Sequence, residues 1–216
     1  MFEAAREQVV TACARLASER LVVGTAGNVS VRVDDHVAVT PTGGVFGEMR
    51  ADEIAIVERD GTFVEGPLEP TSELALHLLL YDRMDAGAVV HTHAPYATAL
   101  SCVVDEVPAV HYSMLMFGGS LKVAPYATFG TEELASNVER ALEGRTACLM
   151  QNHGHVGYAH DLGSAVESAL LVEWACTVYW RARALGEPTA LTDEQLHDVA
   201  AQVMRLGYGQ KKESNA

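Results

Sequence analysis

Ala88-Val89-Val90-His91-Thr92-His93 is the stretch on which the reading of this chain turns. The apolar run Ala88 to Val90 predicts a strand. Residues i and i+2 of a strand leave the same face, roughly 6.5 Å apart along it. His91 and His93 are therefore placed to converge on one metal ion, and imidazole is a favoured zinc ligand. A third imidazole, His153, stands in Gln151-Asn152-His153-Gly154 after a second apolar run, Ala147 to Met150. Upstream, Glu73 lies in Thr71-Ser72-Glu73 at an expected helix start. Three histidines and a carboxylate from separate elements point to a catalytic metal centre rather than a structural clip. Taken singly, each has a plainer reading. A strand-end histidine is commonly a surface or satisfied core residue, and an acidic residue in a first helical turn is favoured by the macrodipole alone. His155, two residues past His153, competes for the third position. His77 and His111 are further candidates, but each sits in an apolar pattern that suits packing.

Outward from that strand, hairpins alternate with helices. Amphipathic spacing predicts a helix over Glu3–Arg20, and strands follow over Val29–Val33 and Val37–Val39. Ile54–Val57 and Thr62–Val64 flank Arg59-Asp60-Gly61, a hairpin signal. A helix is expected from Ser72 to Arg83 and another from Pro95 to Cys102. Thr131 caps a helix to Leu142, with Glu132 and Glu133 in its first turn. Ala147–Met150 and Val156–Ala159 read as strands, Leu162–Leu185 and Asp193–Leu206 as helices. Val107–Ala127 resists assignment; short apolar runs around Gly118-Gly119 leave room for two strands. The pattern predicts an α/β or α+β layer fold around a largely antiparallel sheet. One domain over residues 1–208 is expected, with a polar tail over 209–216.

The chain has 216 residues, 49% of them hydrophobic and 20% charged, with a net charge of −14. No basic stripe is present, which argues against nucleic acid and anionic membranes as partners. Cys13, Cys102, Cys148 and Cys176 form no C-x-x-C pair and read as reduced core residues of a cytoplasmic protein. The N-terminus mixes charges rather than forming a signal core. Ala165–Trp180, interrupted by Glu167 and Glu173, is too short and too charged for a membrane span. An anionic substrate would need a local site against the global charge. Gly24-Thr25-Ala26-Gly27-Asn28 fits neither the Walker loop nor the dinucleotide fingerprint. Its backbone donors, with those of Thr42-Gly43 and of Thr71-Ser72 at a helix N-terminus, still suit a phosphate dianion.

Together these residues resemble the class II aldolase/adducin family. The resemblance is carried by Gly24 to Arg32, Thr40-Pro41-Thr42-Gly43, Ser72-Glu73, Ala88 to His93, His111-Tyr112, Ala124 to Thr131 and His153-Gly154, in family order and over nearly the whole chain. It implies a three-layer fold, a mainly antiparallel central sheet covered by helices, in a homotetramer with active sites at subunit interfaces. It implies that His91, His93 and His153 hold one Zn²⁺, and the His-Gly match selects His153 over His155. Glu73 would be the fourth ligand at rest, then swing away and act as the base. Gly27, Asn28, Thr42, Gly43, Thr71 and Ser72 would hold the substrate phosphate. Tyr112 would reach a neighbouring site to donate a proton, and Tyr208 resembles a second family tyrosine.

The implied reaction cleaves a ketose 1-phosphate, of the L-fuculose 1-phosphate type, to dihydroxyacetone phosphate and an aldehyde. The broken bond leaves an enediolate, whose charge zinc stabilises as a Lewis acid. Outside the tail the single lysine is Lys122, with no base beside it, which disfavours an imine route. Epimerases acting on L-ribulose 5-phosphate share the fold but tend to carry Asp where Glu73 stands, which favours the aldolase; decarboxylase and dehydratase relatives keep the metal site and stay open as alternatives. A non-catalytic scaffold, as in adducin, would lack the histidines.

Overall fold

In a computed structural model, residues 2–207 are described. Tyr208 and the tail expected over 209–216 lie outside the described residues. β1 (Asn28–Val33) and β2 (His36–Val39) form an in-register antiparallel pair. The turn between them puts Asp34 at φ 52°, a region Asp tolerates. β3 (Ala55–Glu58) and β4 (Phe63–Glu65) make the expected hairpin, where the Asp60 carboxylate accepts from the Thr62 amide at 2.8 Å. β5 (Ala88–Thr92), β6 (Glu106–Val107), β7 (Leu121–Ala124), β8 (Ala147–Met150) and β9 (Gly154–Ala159) complete one sheet in the order β4-β3-β2-β1-β5-β9-β8-β7-β6. Neighbours are antiparallel except β7 and β8, which run parallel. The sheet has a seam. Strands from the first part of the chain end at β5, and strands from the second part begin beside it at β9.

Helices cover both faces. On one, α1 (Glu3–Ser18), α3 (Pro95–Ser101) and α5 (Leu162–Leu185) bring Leu16, Leu100 and Val172 against Val31, Val90 and Leu149. On the other, α2 (Leu74–Arg83) and α4 (Glu132–Ala141) bring Leu80 and Val138 against Val39, Val89 and Met150. Alternate strand residues thus feed two cores, as period two demands. The expected three-layer architecture is the one observed. α6 (Asp193–Leu206) begins with a capping box from Thr192 and Gln195.

Some expectations need correction. Helix α2 starts at Leu74 rather than Ser72, and Glu73 is its cap residue at φ −100°, ψ 18°. The unreadable region holds β6, a 3₁₀ segment over Tyr112–Phe117, and β7. Cys102 is exposed, whereas Cys13, Cys148 and Cys176 are buried and burial pushes their thiols up. Among the described residues, no helix is long and apolar enough to cross a membrane.

Candidate metal centre

The end of β5, the start of β9 and the cap of α2 meet at one point. His91 is the last histidine inside β5, and His93 follows one residue past the strand on the same face. His153 occupies the turn that leads into β9. One ring nitrogen from each of the three lies within 4.8 Å of those of the other two. The rings stand edge to face, with centroids 4.8–4.9 Å apart. Gly154 makes this approach possible, because a Cβ there would lie 2.3 Å from the Thr92 carbonyl oxygen. Gly27 does the same on the other side: at φ +98°, its Cβ would lie 2.9 Å from the His91 carbonyl oxygen.

His91 is fully buried, and its Nδ1 donates to the His155 carbonyl at 2.7 Å. In the neutral ring that bond leaves Nε2 as the lone pair, facing His93 Nε2 at 2.9 Å. Burial, then the neighbouring His91, holds His93 and His153 down at about 4, against the pull of Glu73. These two imidazoles are therefore neutral at pH 7, the form that binds metal.

Glu73 stands over this group. Its Oε2 accepts from Asn28 Nδ2 at 2.9 Å and lies 3.2 Å from His91 Nε2. Oε1 is buried with no hydrogen-bond partner among the described residues, 3.5 Å from His153 Nε2. Burial alone would raise this carboxyl. The imidazoles of His91 and His153 and the Asn28 amide outweigh it and hold it well below the usual range. An ionised, partly unpartnered carboxylate beside three imidazole nitrogens is a donor set that fits a divalent cation.

The three loops expected at the phosphate lie side by side. Val29 N donates to Thr40 Oγ1 at 3.2 Å, Thr40 N to Val29 O at 3.0 Å, and Thr71 N to Thr40 O at 3.0 Å. Asn28 pairs directly with His91 across β1 and β5, so this cluster abuts the imidazoles. Gly43 and Ser72 are exposed there, and Thr71 is buried. Thr42 is engaged within the loops: its amide donates to Glu69 O and its hydroxyl to Pro70 O.

Other candidates fall elsewhere. His155 pairs with Thr92 while His91 pairs with Val156, so its side chain takes the opposite face. Its Nδ1 lies 3.3 Å from Thr92 Oγ1, and burial brings the ring down to about 3. Tyr112 is 57% exposed and packs on the His111 ring. Lys122, expected to have no base beside it, pairs instead with the Glu106 carboxylate at 2.5 Å across β6 and β7, because the two residues face each other in the pairing register. His77, set aside above as packing, is fully buried and hydrogen-bonded to Asn28. The signal for it was present: polar Asn28 and Ser30 alternate on β1, and polar His77 and Tyr81 recur at helical spacing on α2.

Residues 7–180 match the family described as Class II Aldolase and Adducin N-terminal domain. The chain belongs to this family. A 5-methylthioribulose-1-phosphate/5-deoxyribulose-1-phosphate aldolase from Rhodospirillum rubrum is 37% identical over 206 residues, covering 94% of this chain and 93% of the relative. An L-fuculose phosphate aldolase from Escherichia coli (strain K12) is 40% identical over 192 residues, with 88% and 89% covered. A solved L-fuculose 1-phosphate aldolase superposes with a TM-score of 0.89 at 36% identity, over 93% of this chain and 96% of that one. The chain is accordingly an enzyme, a class II, metal-dependent aldehyde-lyase.

Proposed function

We propose that this enzyme is a zinc-dependent aldolase that cleaves a ketose 1-phosphate to dihydroxyacetone phosphate and an aldehyde. The observation that carries the reading is the convergence of His91, His93 and His153 under the buried Glu73 carboxylate. When bound, the cation supplies Lewis acidity for the charge that develops on the ketose oxygens as the carbon–carbon bond breaks. Glu73 is the group placed to carry a proton at carbon, because Oε1 is already free of hydrogen bonds. General acid–base help of that kind is worth about 10²–10⁴-fold. Gly27, Asn28, Gly43, Thr71 and Ser72, with Thr42 after a change of partners, bind the phosphate through local donors against the net charge of −14. The relatives named above act on ketose 1-phosphates that share the dihydroxyacetone phosphate half, so the reading leaves the aldehyde half open. It extends to a cytoplasmic homotetramer in which the exposed Tyr112 protonates the aldehyde oxygen in an adjoining subunit's site.

The test is a retro-aldol assay on L-fuculose 1-phosphate, 5-deoxyribulose 1-phosphate and L-ribulose 5-phosphate, with and without chelator. Chelator-sensitive release of dihydroxyacetone phosphate from a 1-phosphate, restored best by zinc, is expected. Epimerisation of L-ribulose 5-phosphate without cleavage of either 1-phosphate would replace the reading with an epimerase. Glu73→Gln should keep the metal and stop hydrogen exchange at carbon of dihydroxyacetone phosphate in deuterated water.

A further inference from the structure

A chain of buried side chains runs from Glu73 into the layer between β1 and α2. Asn28 Nδ2 donates to Glu73 Oε2 at 2.9 Å, and Asn28 Oδ1 meets His77 Nε2 at 2.5 Å. His77 Nδ1 meets Ser30 Oγ at 2.7 Å, and Ser30 Oγ meets the Tyr81 hydroxyl at 2.6 Å. All five side chains are buried, His77 and Ser30 completely. Replacing this network needs apolar residues at all four of positions 28, 30, 77 and 81, because an apolar pair at 77 and 81 alone would leave the buried Asn28 oxygen and Ser30 hydroxyl unpaired. The polar chain ends on the carboxylate at the metal centre.

With a single proton on the His77 ring, only one set of proton positions satisfies every contact. A carboxylate accepts and never donates. The Asn28 amide must therefore turn its NH₂ to Glu73 and its oxygen to His77. His77 Nε2 must carry the hydrogen. The fully buried ring is hydrogen-bonded only to an amide and a hydroxyl, with no carboxylate in hydrogen-bond contact to hold a second proton, so it carries a single one. Nδ1 is then bare and accepts from the Ser30 hydroxyl, and Ser30 accepts from the Tyr81 phenol. Reversing the chain would set two bare acceptors, His77 Nε2 and Asn28 Oδ1, face to face. Flipping the amide to relieve that clash would aim its oxygen at the carboxylate.

We propose that His77 is a positioning residue: as the Nε2–H tautomer, fixed by Ser30 and Tyr81, it locks the Asn28 amide with its NH₂ toward Glu73. This rests on the aldolase reading only for its kinetic consequence. Asn28 then serves as a donor that the carboxylate and an incoming phosphate share, with its oxygen anchored whichever of the two it faces. The orientation of Glu73 depends on His77 although Asn28 stands between the two side chains.

Two measurements decide it. Nitrogen NMR of the ¹⁵N-histidine-labelled, metal-free wild-type chain at neutral pH should show His77 Nε2 protonated and Nδ1 bare. A proton on Nδ1 overturns the proposal whatever reaction the enzyme runs. The second measurement compares His77→Gln, whose amide can again donate to Asn28, with His77→Phe, which cannot. His77→Phe should lose about 10–100-fold in metal affinity, read by chelator competition, and in kcat, with a smaller change in KM. His77→Gln should recover most of both. A Gln variant no better than Phe, or a Phe variant with wild-type metal affinity, overturns the proposal. Should no ketose phosphate be cleaved, the tautomer and metal-affinity results still decide the role of His77, and the aldolase reading alone fails.

Discussion

Gly154→Ala tests whether the packing of β9 against β5 sets the candidate metal centre. The new Cβ would lie 2.3 Å from the Thr92 carbonyl oxygen and 3.2 Å from His93 Cδ2. A relaxed carbon–oxygen contact is about 3.3 Å, so the two backbones must part by roughly 1 Å. The nearest groups are backbone and cannot swing aside. Forced separation of this kind costs about 1–3 kcal/mol, which for a chain of this length lowers Tm by about 2–12 °C. The same displacement moves His153 away from His91 and His93, and metal–ligand distances tolerate only about 0.2 Å. Thermal unfolding of the metal-free variant and chelator competition on the loaded one read the two effects separately. Both should worsen. Gly186→Ala is the control, since a Cβ there meets nothing within 4 Å, and it should leave both unchanged. A Gly154→Ala variant with wild-type Tm and metal affinity would refute the argument that this glycine lets the imidazoles converge.

Acid should destabilise the metal-free fold through its buried imidazoles. The folded value of His77, about 3, lies below its ordinary 6.5, so the unfolded chain binds the proton first and stability falls as pH drops from about 6.5 towards 3. His77 alone contributes a loss of about 2 kcal/mol at pH 5, and urea titrations at pH 7 and pH 5 should differ by at least that amount. Glu173→Ala should destabilise by about 1–3 kcal/mol, because the carboxylate accepts from the Tyr96 and Ala97 amides at 2.9 and 2.8 Å at the start of α3; an unchanged urea midpoint would show those amides are satisfied otherwise. Leu80→Ala, in the core under α2, should cost about 2–5 kcal/mol, with a transition that remains a single step.

The sequence disclosed the elements whose own residues carry a strong period or punctuation. Asp60-Gly61 marks a hairpin, Thr131 with Glu132 and Glu133 marks a helix start, and Leu162 to Leu185 is one helix from end to end. The parallel pairing of β7 and β8 was illegible, because each strand is four residues long and its partner is chosen by α4 crossing between them. Tyr112–Phe117 was unreadable for a similar reason: its 3₁₀ geometry has neither of the two regular periods. At the centre, His91 and His93 follow from a strand's alternation. No period separates His153 from His155, two residues apart, because only the turn before β9 places one in the cluster and the other on the far face. His77 escaped because a histidine among leucines looks like filler until the residue opposite it, Asn28, is known.

The seam between β5 and β9 has a consequence for biosynthesis. Glu73, His91 and His93 leave the ribosome well before His153, and β9 is the last strand to be made. An ion captured early would find two imidazoles and a carboxylate but no closed site. Durable loading therefore waits until β9 has been made, and metal starvation during synthesis should yield folded, empty enzyme that can be rescued afterwards.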